Sequence, residues 1–118
     1  MVNVKLKRIY EKQERTDGLR ILVDRLWPRG ISKEQAQIDF WLKEIGPTNE
    51  LRKKFKRGEI NYELFDEKYQ KELASGKQHE ALLFLIELIE KTTRNVTLLY
   101  ASRNKDQNNA QIIKKLIK

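Results

Sequence analysis

Two short stretches of this 118-residue chain hold the side chains best suited to chemistry. The first is Asp24-Arg25-Leu26-Trp27-Pro28-Arg29-Gly30, directly after the apolar run Ile21-Leu22-Val23. The second is Tyr100-Ala101-Ser102-Arg103-Asn104, followed shortly by Asn108. A guanidinium is a rigid fork of N–H donors that matches carboxylate or phosphate oxygens. Arg25, Arg29 and Arg103, gathered beside the free N–H groups of a helix starting near Asn108, would therefore form an anion site. Arg52, from a separate segment, would close its mouth. Asp24 within reach of these arginines would be held ionised and would orient one of them, or abstract a proton as a general base. Each residue also has a structural reading. An Asp-Arg pair at a strand end serves equally as a loop cap and bridge, and Trp27 before Pro28 either plugs the core or offers a stacking face.

Such a site needs a sheet to assemble it. Val2, Val4 and Leu6 alternate with Asn3, Lys5 and Lys7, the period of a half-exposed strand. Glu11 to Gly18 then reads as a polar connection ending in the turn signal Asp17-Gly18. Leu19 to Leu26, with contiguous Ile21-Leu22-Val23, suits a strand buried on both faces, stopped by Pro28 and Gly30. The next sixty residues read as helices: a short turn capped by Ser32, a segment with Phe40, Trp41 and Ile45 closed by Gly46-Pro47, and a helix capped by Thr48 that carries Leu51 and Phe55. A stripe of Tyr62, Phe65, Tyr69 and Leu73 follows, then a helix from about Lys77 to Lys91, apolar nearly all round and expected to pack in the core. His79 at its start reads as surface. Asn95 to Ala101 is a second inner strand, with Val96, Leu98 and Tyr100 on one face. A last helix carries Ala110, Ile113 and Ile117. Strands joined by helical crossovers imply an α/β fold. The expectation is a single domain spanning 1–118, with a small, mostly parallel sheet of about three to four strands flanked by helices in a Rossmann-like three-layer arrangement. In such sheets ligands bind beyond the carboxyl ends of the strands, where both arginine-bearing stretches lie.

Composition narrows the classes. The chain has no cysteine and one histidine, so thiol chemistry is excluded and a zinc site is not expected; no metal or cofactor is expected. The longest apolar block, Ala81 to Ile86, is far shorter than the roughly 20 residues of a membrane span, and no signal-type run opens the chain. A cytoplasmic protein is the expectation. The net charge is +8, distributed unevenly. Residues 31–90 are slightly acidic and both ends are basic, so if the ends meet in space their field attracts anions. The leading expectation is a small anionic ligand, phosphorylated or nucleotide-like. The alternative is nucleic acid, using the basic ends and the run Arg52-Lys53-Lys54-Phe55-Lys56-Arg57, though such a run also reads as the solvated face of a helix that buries Leu51 and Phe55. A third reading is a partner-binding protein without a ligand.

The run from Asp17 to Gly30 resembles the signature of the YeaO-like bacterial proteins, a family of unknown function. Further matches follow in order: Trp41, Gly46-Pro47-Thr48, Leu51-Arg52, Phe65, Tyr69, Glu72-Leu73, and Thr97 to Asn104 with Asn108 and Ala110. The resemblance covers essentially the whole chain and implies a compact α/β fold without an established activity. Sequences of the broader group carry a Cys-His-Arg cluster near the start of the last helix, and YeaO-like chains carry Asn-His-Ala. This chain has Asn108-Asn109-Ala110, with Tyr100 where the broader group places cysteine, so no thiol or imidazole mechanism is implied here. Asp24, Arg25, Arg29, Arg52 and Asn108 match the family pattern, and Arg103 stands where lysine is usual.

Overall fold

The computed structural model describes residues 3–117; Val2, assigned above to the first strand, lies outside them. Four strands, β1 (Val4–Arg8), β2 (Leu19–Leu22), β3 (Phe40–Trp41) and β4 (Val96–Tyr100), form one sheet in the order β1-β4-β2-β3. Every pairing is parallel, with Leu6 opposite Leu98, Ile21 opposite Leu98 and Leu22 opposite Trp41. The helices are α1 (Lys33–Ala36), α2 (Asn49–Lys56), α3 (Tyr62–Leu73), α4 (Gly76–Lys91) and α5 (Asn109–Leu116).

The two central strands are those whose composition demands burial on both faces. Every residue of β4 is buried, as are Ile21, Leu22 and Val23. On one face Val96, Leu98, Tyr100, Ile21 and Val23 pack against Leu51, Phe65, Tyr69, Leu73, Leu85 and Ile113 of the long helices. On the other, Leu22 and Leu99 meet Ile9 and Ala36, with Trp27, Ile31, Ile38 and Trp41 around them. The sheet is thus sandwiched between α2–α5 and a thinner layer of α1 and loops, a small Rossmann-like three-layer α/β fold. The β2–β3 and β3–β4 crossovers run in opposite directions along the sheet, so right-handed connections carry their helices to opposite faces.

The helices begin where side chains can replace missing backbone partners. Ser32 and Gln35 form a reciprocal capping box. The Thr48, Asn61 and Asn108 side chains accept from Leu51, Leu64 and Gln111 N–H, each satisfying an orphan donor of the first turn.

Three expectations are corrected. Phe40 and Trp41 form a strand, not a helix. Gln37 ends α1 in the left-handed region (φ 50°), and the Asp39 carboxylate accepts from Arg20 N–H at 2.9 Å, so the chain is pulled alongside β2. Helix α4 does not sink into the core: Leu82 and Leu85 are buried, but Leu83 and Phe84 face outward, 51% and 43% exposed. One face of a helix can pack on a single layer, whatever its composition. The polar side of β1 is only partly solvated: Lys5 keeps 38% of its side chain exposed. Lys7 is buried against Asp17, which is fully enclosed after its 3-10 turn (Arg15–Asp17). Asp17 receives Lys5 at 3.1 Å, Lys7 at 3.1 Å and Arg20 at 2.6 Å, and Arg20 also donates to the Ala36 and Gln37 carbonyls. Burial alone would raise the Asp17 carboxyl, but the Glu14 N–H and the Lys7, Lys5 and Arg20 cations hold it well below the ordinary carboxylate range.

Two glycines are dictated by close approach. Gly18 (φ 65°) runs so near Asn95 that a Cβ would meet its carbonyl oxygen at 2.0 Å, and a Cβ at Gly46 would lie 2.4 Å from Arg25 N. Pairing of β1 with β4, with α5 packed on both, brings the basic ends of the sequence together. Among the described residues no helix is long and apolar enough to cross a membrane.

Candidate functional site

At the carboxyl edge of the sheet the chain leaves β2 toward α1 on one face and leaves the adjacent β4 toward α5 on the other. Neighbouring strands whose continuations part in this way open a crevice, the usual ligand position of open parallel sheets. Here side chains close its base. Val23 N–H still donates to the Leu99 carbonyl at 3.1 Å. One step further the ladder is replaced: Ala101 N–H donates to the Asp24 carboxyl at 2.9 Å, and the Val23 carbonyl accepts from the Asn109 carboxamide at 3.0 Å. The Asp24 carbonyl accepts from the Trp41 indole at 2.8 Å. Asp24 and Asn109 therefore stitch the strands where backbone pairing ends.

An inner cluster surrounds this stitch. The Asn109 carboxamide, bonded to the Val23 carbonyl, lies near enough to favour the ionised forms of Asp24 and Tyr69, and Tyr69 donates to the Ile45 carbonyl. Arg52, on α2, lies near enough for its charge to act on Asp24; its Nε is buried and has no hydrogen-bond partner among the described residues. Burial pushes the Asp24 carboxyl up to about 6, against the Ala101 N–H, the Asn109 carboxamide and the Arg52 charge, which favour the ionised form. The expectation that neighbouring arginines hold Asp24 ionised thus underweights desolvation. Some of Asp24 reaches the surface, but the carboxyl itself is enclosed, and Arg25 spends its guanidinium elsewhere. Burial likewise raises the Tyr69 hydroxyl far above its ordinary value.

An outer rim lies on the same edge. Arg8, at the end of β1, donates to the Ser102 carbonyl at 2.8 Å and the Ala101 carbonyl at 3.0 Å, and its guanidinium carbon sits 5.0 Å over the Tyr10 ring. The Tyr10 hydroxyl donates to the Arg29 carbonyl at 2.7 Å. The Arg8–Tyr10 clamp thus ties the backbone of Arg29 and the backbone of Ala101 and Ser102, just before Arg103; Arg29 and Arg103 are both exposed, and neither is in an ion pair among the described residues. Lys105 on the same loop approaches Glu11 at 3.7 Å.

The predicted residues accordingly fall into separate groups. Asp24 and Arg52 meet in the inner cluster, while Arg29 and Arg103 stand on the rim. Arg25 folds back onto the next loop, donating to the Pro47 and Gly46 carbonyls at 2.9 Å each and lying 3.7 Å from Glu44. Trp27 packs edge-on to Trp41 (5.3 Å between centroids) and donates to the Ile31 carbonyl. Asn108 is the N-cap of α5, and its amide ties down the Asn104 and Lys105 carbonyls. Sequence reasoning did not select Asn109, Tyr69, Arg8 or Tyr10. Asn109 had a signal, a carboxamide where YeaO-like chains carry histidine; the others match ordinary core or surface residues. The run from Arg52 to Arg57 decorates α2, with Leu51 buried and Phe55 stacked 4.6 Å from Phe65. His79 is half-buried, Nδ1 lying 3.0 Å from the Leu73 carbonyl. Shallow depressions of about 530 and 320 Å³ lie elsewhere, along α3 and beside Thr48 and Glu72. Among the described residues no three His, Asp or Glu side chains are grouped to hold a metal.

Residues 3–118 match the family model described as "Inactive DUF488-N3 subclade". The chain belongs to this family. Over 112 residues, 95% of this chain and 94% of the relative, it is 44% identical to the uncharacterized protein YeaO of Escherichia coli strain K12. It is 34% identical over 115 residues to uncharacterized proteins of Mycobacterium bovis and of Mycobacterium tuberculosis H37Rv, covering 97% of this chain and 92% of each relative. No solved structure matches the chain significantly. Within the DUF488-N3 family, then, this chain carries Asp24 and Asn109 at the strand ends without a thiol or imidazole beside them.

Proposed function

We propose that this is a cytoplasmic protein that binds a small anionic ligand, phosphorylated or nucleotide-like, at the carboxyl ends of β2 and β4, and that it does so without turnover. The observation that carries the reading is a pair of exposed arginines, Arg29 and Arg103, without carboxylate partners among the described residues, on loops beyond the strand ends whose backbones are tied by the Arg8–Tyr10 clamp at Arg29 and at Ser102. Unpaired guanidinium groups at a strand-end crevice present N–H donors to an anion at low desolvation cost. Arg52, whose buried Nε has no hydrogen-bond partner among the described residues, lends positive potential from below. Binding without chemistry is supported by the commitment of the Asp24 carboxyl to Ala101 N–H, and by the family's description as inactive.

Titration calorimetry at low salt with inorganic phosphate and pyrophosphate, on the wild type and an Arg29→Ala/Arg103→Ala double variant, tests the proposal. Pyrophosphate binding to the wild type that falls at least tenfold in the double variant is expected. Equal affinities, or no binding to either protein, would refute it. Affinity for a single-stranded oligonucleotide falling by roughly 0.7 log units per log of salt for each of several phosphates would favour the nucleic-acid alternative.

A further inference from the structure

We propose that Tyr10 is a base-stacking platform, so that the anion bound on this rim is a nucleoside phosphate; the inference rests on the anion-binding reading above and gives its ligand a second recognition element. One exposed aromatic ring is ordinary on a protein surface. Tyr10 differs in how it is held. It is 43% exposed, yet both ends of its freedom are removed: the hydroxyl is tied to the Arg29 carbonyl at 2.7 Å, and Arg8 covers one face at 5.0 Å. Arg8 is itself fixed by two carbonyls of the loop after β4. The ring's orientation is therefore set during folding, and a ligand that stacks on it has little left to order.

The hydroxyl, already donating to a carbonyl, has no proton left to give a ligand, so the open ring face is what Tyr10 offers. Inorganic phosphate or a sugar phosphate has nothing to place on a π-face, whereas every nucleobase does. The cation behind the ring draws electron density from the open face and suits it to electron-rich bases. The charges that would meet the phosphate lie on the two loops the clamp touches. Tyr10 bonds the backbone of Arg29, and Arg8 bonds the backbone of Ser102, immediately before Arg103. The ring and the two arginine-bearing loops are thus linked through backbone contacts. The acidic groups on this rim are Glu11, whose carboxylate accepts from Arg8 N–H at 2.7 Å and approaches Lys105, and Asp106, beyond Lys105 on the loop after β4.

The test measures affinities of AMP, GMP, CMP, UMP, ribose 5-phosphate and pyrophosphate for the wild type and for Tyr10→Ala, Tyr10→Phe and Tyr10→Trp, with thermal unfolding confirming that each variant is folded. Expected is tighter binding of at least one nucleotide than of ribose 5-phosphate. Tyr10→Ala should weaken that nucleotide about 5- to 150-fold, the range of a single base–aromatic stack, and weaken pyrophosphate no more than Tyr10→Phe does, since both variants lose the bond to the Arg29 carbonyl. Tyr10→Phe and Tyr10→Trp keep a ring and should retain most of the affinity. Nucleotides binding no better than ribose 5-phosphate, or Tyr10→Ala weakening pyrophosphate equally, would overturn the platform while leaving the anion site standing. No binding of any ligand would remove both. Oligonucleotides binding more than tenfold tighter than mononucleotides would assign the ring to nucleic acid and overturn the inference.

Discussion

Replacing Asp24 by asparagine isolates the energetic consequence of its enclosure. The folded carboxyl sits at about 6, against 3.8 for the free group. Between those values the native state binds a proton that the unfolded chain has released. Stability from this proton is complete below 3.8 and is lost as the pH rises through 6. Its full amplitude is roughly 3 kcal/mol at 1.36 kcal/mol per unit, of which about 1.3 kcal/mol disappears between pH 5 and pH 7. Asp24→Asn keeps an oxygen for Ala101 N–H and cannot ionise. Urea unfolding of both proteins at pH 5 and pH 7 provides the measurement, and subtracting the variant cancels every other titrating group. Wild-type stability relative to Asp24→Asn should drop by about 1.3 kcal/mol over that interval. A gap that stays constant would show that burial is offset in full, and a wild type that gains on the variant toward pH 7 would show that Arg52 governs the site; either result refutes the reasoning.

Asp17→Ala should destabilise by about 3–5 kcal/mol in urea unfolding, because Arg20 is left buried without its anion and Lys7 keeps only the exposed Glu14. Gly46→Ala should cost roughly 1–3 kcal/mol by pushing a methyl group into the Arg25 backbone, with a matching fall in thermal midpoint. Thr48→Ala, which removes the N-cap acceptor for Leu51 N–H and the 2.6 Å bond to Glu72, should cost about 1 kcal/mol. On α4, Leu85→Ala should cost about 2–5 kcal/mol, while Leu83→Ala on the outer face should stay within about 0.5 kcal/mol.

The meeting of the two central strand ends was legible in the sequence. Ile21-Leu22-Val23 and Val96 to Tyr100 are apolar on both faces, and such strands occupy the middle of a parallel sheet, so their carboxyl ends had to meet. Less legible was what each arginine does there. Arg25, Arg29 and Arg52 look alike in sequence, but one is consumed by the carbonyls of Gly46 and Pro47, one is left exposed, and one has its Nε buried, with its charge acting on Asp24. The Asp17 hub was equally hidden, because Asp17-Gly18 has the composition of an exposed turn while burial depends on Lys7 and Arg20 arriving from two strands.

Patterns of period and capping act between residues a few positions apart, so the chain alone determined its helices, its two central strands and the clustering of basic charge at its ends. The direction of a long polar side chain depends on which carbonyls and carboxylates lie within about 3 Å of it, and those come from distant segments. Only the tertiary structure decided that Phe40 and Trp41 form an edge strand, that Asp24 and Asn109 close the gap between β2 and β4, and that Tyr10 is pinned beside Arg29.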